Sequence, residues 1–425
     1  MNLLEIGTYH YVKGNLHCEQ LPVEDIVKTV GTPVFIYSKK YMIDRYIEFD
    51  NAFDGINHSI YFSVKSNFNL NVIKTFLDLG SGADVNSGGE LYRALKAGAN
   101  PKKISLASVG KSEEEISMGL EKGVKVIKAE SFSEVRRINE IANKTGVIAP
   151  VAIRINPDID AKTHPYISTG LSENKFGIES AKIEEIFLEC MKLENIRPVG
   201  IDMHIGSQIT SIEPYIEAIE IMAVQFRKLK SLGIPLEQFD IGGGIGVQYN
   251  NEKFFTPAQL AGKVKDLLNS LNCEIIFEPG RFLTANSGIL VTEIQYIKTN
   301  GNKIFYIVDA GMTELLRIAL YNAYHQIQPV KIENRKDIVT DIVGPICESS
   351  DCFAKKREIE ECKEGEKLAV MSAGAYSIVM SSNYNARRRP PEVMVDGDRF
   401  FIIRSRETYE HLIWDEKIIP DLHNR

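Results

Sequence analysis

A chain of 425 residues suggests two or three domains, and because a (β/α) barrel alone takes about 250 residues, two is the better expectation. Its 50 Lys+Arg against 57 Asp+Glu give a net charge of −7, which argues against nucleic acid or an anionic membrane as the main partner. With 44% apolar and 25% charged residues, the composition excludes wholesale disorder. The six cysteines (Cys18, Cys190, Cys273, Cys347, Cys352 and Cys362) are scattered without a C-x-x-C pair. That distribution suits neither a zinc site nor a disulfide framework and fits a reducing compartment. Met1–Glu5 offers no basic start to a signal peptide, and no apolar run approaches the roughly 20 residues a bilayer span needs. A soluble cytoplasmic protein without a metal site is expected.

Taken in chain order, the strand-like runs are Ser59–Val64, Ser81–Val85, Ile104–Ala107, Val124–Lys128, Val151–Ile155, Val199–Met203, Phe239–Ile241 and Glu274–Phe277. Helical patterns such as Gly88–Ala97 and Ile212–Lys230 lie between most of them. Strand–helix alternation predicts parallel strands with crossover helices, and eight such strands are the number that closes a barrel. Periodicity does not show closure, so a doubly wound open sheet is the alternative. Beyond residue 290 the runs Gly288–Ile297, Lys303–Val308, Leu368–Met371 and Arg399–Ile403 are β-rich, with few long helical patterns between them. The predicted architecture is therefore α/β: a (β/α)8 TIM barrel over residues 30–285, followed by a mostly antiparallel β domain. Residues 1–29 do not keep the barrel rhythm and are expected to join residues 286–425.

Active sites of such barrels lie at the C-terminal ends of the strands. The first strand ends at Lys65, the second near Asp84, and the fifth delivers Arg154 and Asn156. The sixth runs into His204 and Ser207, the seventh into Gly242–Gly244, and the eighth into Glu278-Pro-Gly-Arg281. Lys65 follows an apolar strand, where desolvation favours the neutral amine of a Schiff-base former; taken alone, it reads as a lysine facing solvent from a strand end. The glycine run suits either an anion cradle or a tight turn. It does not match G-x-G-x-x-G, because Val247 stands where the third glycine belongs. His204 suits a base, a metal ligand, a stacking surface or a satisfied core histidine, with no second ligand at metal spacing. Glu278 could serve a cofactor ring nitrogen or pair with Arg281. An amine for an aldehyde, a phosphate cradle and a carboxylate for a pyridine nitrogen are together what pyridoxal 5'-phosphate needs.

At these residues the sequence resembles the fold-type III pyridoxal-phosphate-dependent decarboxylases, from about Thr32 to Pro391. The motifs are Tyr61-Phe-Ser-Val-Lys65-Ser-Asn67, Asp84-Val-Asn-Ser-Gly-Gly-Glu90, His204-Ile-Gly-Ser207-Gln208, Gly242-Gly-Gly244 and Glu278-Pro-Gly-Arg281. Beyond the barrel come Asp309-Ala-Gly-Met312, Arg317-Ile-Ala-Leu-Tyr321, Gly344-Pro-Ile-Cys347-Glu348-Ser-Ser-Asp351 and Gly374-Ala-Tyr376. The departures, Ser66 in place of the common Ala and the third strand's Leu106–Lys111, touch no assigned role.

The resemblance implies that Lys65 carries the cofactor covalently, His204 stacks on its ring and Glu278 pairs with the ring nitrogen. Asp84 joins the cofactor-binding set, while Ser207, Gly244, Gly280 and Tyr376 reach the phosphate. It further implies a homodimer with shared active sites, in which Cys347 and Glu348 enter the partner's site. Arg281 and Arg317, with Tyr321 and Tyr376, would hold a small-molecule amino-acid substrate by a distal carboxylate. Glu348 would pair with a distal ammonium, and Cys347 is a candidate proton donor, a buried inert thiol being the alternative. The expected reaction is decarboxylation of meso-2,6-diaminopimelate to L-lysine, the last step of lysine biosynthesis. The alternatives are a decarboxylase for ornithine, arginine or a carboxylated polyamine precursor such as carboxynorspermidine, a non-catalytic regulator on the same scaffold, and a Schiff-base aldolase on a plain barrel. The run Arg387–Arg389 lacks interleaved aromatics and reads as a solvated or dimer-contacting segment.

Overall fold

The computed structural model describes residues 7–160, 170, 175–250 and 252–419; Met1–Glu5, read above for a signal, lies outside them. Two compact units divide the chain. One takes Lys39–Ser287 and Gly374–Val379; the other takes the chain up to Ser38, Gly288–Ala373 and the residues from Met380 on.

The first unit is a closed barrel. Its strands are β1 (His58–Ser63), β2 (Gly82–Val85), β3 (Ile104–Leu106), β4 (Val126–Ala129), β5 (Ala149–Asn156), β6 (Ile196–Asp202), β7 (Gln238–Asp240) and β8 (Glu274–Phe277). Each pairs in parallel with the next. Pairing of β8 with β1 through Ile275↔His58 and Phe277↔Ile60 completes the ring. The open-sheet alternative is thereby excluded. These strands are short and apolar because both faces are covered, which parallel sheets require; β2, β3 and β4 are buried at every position.

The loops that leave the strands are capped, which fixes where each helix starts. Ser87 accepts the Glu90 N–H, and Ser131 accepts that of Glu134. Ser112 with Glu115, and Thr256 with Gln259, form reciprocal capping boxes. Each box satisfies two helix-end donors that would otherwise need water, typically worth about 1 kcal/mol per cap.

The second unit is built on a mostly antiparallel sheet. Its longest strand, Gly288–Asn300, pairs antiparallel with Lys303–Val308, Lys367–Val370 and Val34–Ser38. Only the pairings of Lys303–Val308 with Asp337–Val343 and of Val34–Ser38 with Glu392–Asp396 are parallel among the described strands of this sheet. Val34–Ser38 lies inside the barrel boundary drawn at residue 30, yet its hydrogen bonds belong to this sheet. The small sheet Tyr9–Val12, Asn15–Cys18 and Leu21–Pro22 contributes Tyr9, Leu16 and Cys18 to a core shared with Val34, Ile36, Ile289, Val291, Val393 and Val395. The arginine run is tied down: Arg387 donates to the Asp309 carbonyl at 2.7 Å and Arg389 pairs with Glu407 at 3.0 Å. No described helix is long and apolar enough to cross a membrane.

Candidate active site

Lys65 sits in a single 3-10 turn, Val64–Ser66, directly after β1. Its ammonium lies 3.8 Å from Asp84 Oδ2 at the end of β2. Ser63 Oγ donates to the same oxygen at 2.8 Å, while Asp84 Oδ1 is buried with no hydrogen-bond partner among the described residues. Burial pulls the Lys65 pKa down, but Asp84, with Tyr376 and Glu278, outweighs it and leaves the amine above its ordinary value. The expected desolvated, neutral amine is therefore corrected. As the site stands, Lys65 is a cation held by a buried carboxylate.

His204 follows β6. Its Nδ1 accepts the Gly243 N–H at 3.3 Å, so the ring proton belongs on Nε2. Burial first, then the positive charges of Lys65, Arg154 and Lys128, hold its pKa well below the usual histidine range. An uncharged flat ring results. Glu278, just past β8, does not pair with Arg281. Its Oε1 is 2.5 Å from Lys128 Nζ and accepts from Ser105 Oγ at 3.2 Å. Burial, then Asp240 and Asp84, push its pKa well up, against the pull of Lys128.

The glycine run is a packing necessity. A Cβ on Gly243 would stand 2.1 Å from the Glu278 carbonyl, and one on Gly244, whose φ is +110°, 2.1 Å from the Gly206 carbonyl. The loop after β7 is thus pinched between those after β6 and β8, and the tight-turn reading accounts for these glycines by itself. Gly280 is the N-cap of the short helix Arg281–Thr284, and a Cβ on it would stand 3.0 Å from Ser66 Cβ and Oγ and 3.1 Å from Ser63 Cβ.

Arg281 is buried and joins the expected residues Ser207 and Tyr376 with Tyr249, which the sequence reading did not single out, into one group. It donates to Tyr249 Oη at 2.7 Å and Ser207 Oγ at 2.9 Å, and its guanidinium lies 4.7 Å from the centre of the Tyr376 ring. Tyr376 belongs to the barrel unit because its N–H donates to the Ser66 carbonyl at 2.8 Å and Asn67 Nδ2 to the Gly374 carbonyl at 3.1 Å. Its φ of +55° is left-handed, a conformation that costs a non-glycine residue about 1 kcal/mol or more.

The remaining expected residues lie in the sheet unit. Arg317, also buried, opens the helix Arg317–Tyr321 and stands 2.7 Å from His325 Nε2, whose Nδ1 is 2.8 Å from the Met371 carbonyl. It is no surface ion pair. Tyr321 is half-buried on the same turn. Cys347 and Glu348 are exposed, which removes the buried-thiol alternative for Cys347. Buried Asp351 frames their loop by accepting the Met312 N–H at 2.6 Å and the Ile346 N–H at 2.7 Å. Tyr384 Oη donates to Glu348 at 3.0 Å.

Sequence reasoning missed Lys128, Asp202 and Asp240, which converge inside the barrel, and His325 beneath Arg317. A charged residue at or near the end of a short, largely buried strand was the available signal for the first three.

The set fits pyridoxal phosphate: an amine, an uncharged flat ring, a buried carboxylate, and a guanidinium beside a hydroxyl lie on one rim, with a further carboxylate oxygen, on Asp84, unsatisfied. Among known families, "Pyridoxal-dependent decarboxylase, pyridoxal binding domain" matches residues 39–285. The chain is 45% identical to diaminopimelate decarboxylase of Aquifex aeolicus over 97% of its own length and 98% of that protein's. With the diaminopimelate decarboxylase of M. jannaschii, solved in complex with L-lysine, it shares 36% identity and a TM-score of 0.93, covering 98% of this chain and 99% of that one. With the Helicobacter pylori enzyme, also solved with L-lysine, it shares 42% identity and a TM-score of 0.89, covering 92% and 98%. A pyridoxal-dependent decarboxylase by fold, by rim chemistry and by full-length likeness, the chain belongs to the diaminopimelate decarboxylase family.

Proposed function

We infer that this protein binds pyridoxal 5'-phosphate and decarboxylates meso-2,6-diaminopimelate to L-lysine and CO2, the last step of lysine biosynthesis. The observation that carries the reading is the rim itself: a lysine on a buried carboxylate, a neutral imidazole and a buried glutamate at the ends of β1, β2, β6 and β8. Lys65 would hold the cofactor covalently, and Asp84 is placed to take up or steady the proton that its amine must lose. Neutral His204 would offer the ring a flat, uncharged face. Glu278 would keep a proton on the ring nitrogen, and Ser207, Gly244, Gly280 and Tyr376 would surround the phosphate. When bound, the group supplies an electron-withdrawing ring that accepts the electron pair left on the substrate carbon as CO2 departs.

The same reading gives the substrate's far end to the arginines. Arg281 and Arg317 would grip its distal carboxylate with Tyr321 and Tyr376, and Glu348 would pair with its distal ammonium. Exposed Cys347 would return the proton to the substrate carbon, and Cys347 and Glu348 would act across a homodimer, in the partner's site. Six free cysteines support a cytoplasmic, reducing setting. The decisive experiment measures CO2 release from meso-diaminopimelate, ornithine, arginine and lysine. Turnover confined to meso-diaminopimelate is expected; faster turnover of ornithine would overturn the substrate assignment. A wild-type protein that gains no visible absorption with the cofactor would overturn the cofactor assignment.

A further inference from the structure

Inside the barrel, just below the rim, one lysine stands among three carboxylates. Lys128 projects from β4, and its side chain is 1% exposed. Its Nζ lies 2.7 Å from Asp202 Oδ1 at the end of β6, 2.5 Å from Asp240 Oδ2 at the end of β7 and 2.5 Å from Glu278 Oε1 after β8. The three carboxylates have oxygens within 4.8 Å of one another, a spacing that suits a divalent cation. The ammonium already occupies that point. Three donor protons meet three acceptors, so each bond is charge-assisted and the nitrogen has one geometry.

We propose that Lys128 is the positioning residue of Glu278: clamped by Asp202 and Asp240, its ammonium fixes the Glu278 carboxylate in place and opposes its protonation beside the cofactor's ring nitrogen. The inference rests on the cofactor reading above and extends it to a residue below the rim. Its logic is a competition. A buried carboxyl with carboxylate neighbours takes a proton, and a protonated Glu278 no longer favours a proton on the ring nitrogen. Asp240 shows the pressure directly, since burial pushes its pKa to about 7 despite Lys128. The charged or titratable groups that act on Glu278 come from most of the strands: Tyr61 on β1 and Lys65 after it, Asp84 on β2, Lys128 on β4, Asp202 on β6 and Asp240 on β7. Lys65 faces Asp84 and Arg154 faces Glu130 and Asp202, so among the described residues Lys128 is the cation in contact with Glu278.

Removing Lys128 alone leaves three buried carboxylates uncompensated and threatens folding. The informative variant is therefore K128M/D202N, which keeps the charge balance; Lys128 acts on Glu278 more strongly than Asp202 does, so the variant raises the pKa of Glu278. In cofactor-free protein, the infrared band of the Glu278 carboxyl, assigned by its loss in E278Q, should titrate at least about one pH unit higher than in wild type. In the cofactor-loaded enzyme, kcat should fall by about 10- to 100-fold with KM little changed. Adding K128M/D202N to E278Q should change kcat by less than about two-fold, because the effect passes through Glu278. An unmoved infrared titration, an unchanged kcat, or losses that simply multiply in the combined variant would each overturn the inference. A wild-type protein that turns over no meso-diaminopimelate would instead overturn the proposed function and with it the kinetic half, while the infrared arm still decides whether Lys128 governs Glu278.

Discussion

The barrel rim and the sheet unit treat their functional side chains in opposite ways. On the rim the titratable groups are held by buried partners: Asp84 by Ser63, Glu278 by Lys128 and Ser105, His204 by the Gly243 N–H. In the sheet unit the frame is buried and the tip is exposed. Asp351 pins the backbone of the Gly344–Asp351 loop while Cys347 and Glu348 remain exposed. Burial is what sets a charge state, so groups whose protonation matters belong on strand ends inside a closed barrel. Groups proposed to meet a substrate and a second chain need exposure, and a rigid loop frame supplies aim without burial.

Replacing Lys65 breaks the rim half of this comparison and carries the largest expected effect. K65A should lose the visible absorption of the loaded enzyme and lower kcat by about 10³-fold or more, some 4 kcal/mol of barrier. A variant that keeps its colour and rate would show that another amine does the work. Replacing Cys347 tests the sheet half. C347S should lower kcat by about 100-fold, the scale of a lost proton donor, with the absorption unchanged. Mixing K65A with C347S under conditions that exchange subunits should recover activity, since one site of each hybrid is then intact. A mixture as inactive as its components would mean that each chain completes its own site.

Arg317 sharpens the contrast, because it is a buried residue in the unit of exposed tips. R317A should cost kcat/KM for meso-diaminopimelate about 10- to 100-fold, mostly through KM, as expected for a charge-assisted bond worth about 1.5–3 kcal/mol. The melting temperature must be measured beside it, because the variant also strips the partner 2.7 Å from His325 Nε2. A fall in melting temperature with KM unchanged would make Arg317 a structural residue.

How far the sequence could be read follows the same division. Barrel strands announce themselves by short β-like runs recurring between helical patterns, and each of the eight lies within a few residues of its expected place. The rim motifs were legible because strand ends in a parallel barrel all face one way. Lys128 was not, because it sits within an apolar run and its partners Asp202 and Asp240 lie 74 and 112 residues away. Only ring closure brings them together. The sheet unit was harder still. Asp337–Val343 and Cys352–Glu360 alternate buried and exposed positions irregularly, with register shifts between them, and Val34–Ser38, not singled out as a strand, fell within the barrel boundary because nothing local reveals its antiparallel partner Gly288–Asn300. The charge on Lys65 was left open for a related reason. Desolvation is visible in a sequence, whereas the opposing carboxylate comes from the next strand.

The smallest expected effect asks whether burial sets a charge state in the sheet unit as it does on the rim. Glu314 is buried and accepts from the Gly311 N–H at 2.7 Å and Thr313 Oγ1 at 2.9 Å, yet burial still pushes its pKa from the ordinary 4.5 to about 7. The folded state then holds a proton that the unfolded state has lost between those values, so stability falls as pH rises from about 4.5 to about 7 and is level above. The full shift corresponds to about 3 kcal/mol. E314Q keeps the acceptor oxygen and removes the charge, so it should be more stable than wild type by about 1–2 kcal/mol at pH 8, with the advantage gone below pH 4.5. Chemical denaturation across that range checks it. A constant difference between the two proteins would mean that Glu314 does not titrate on folding, and that in this molecule only the barrel uses burial to hold protons.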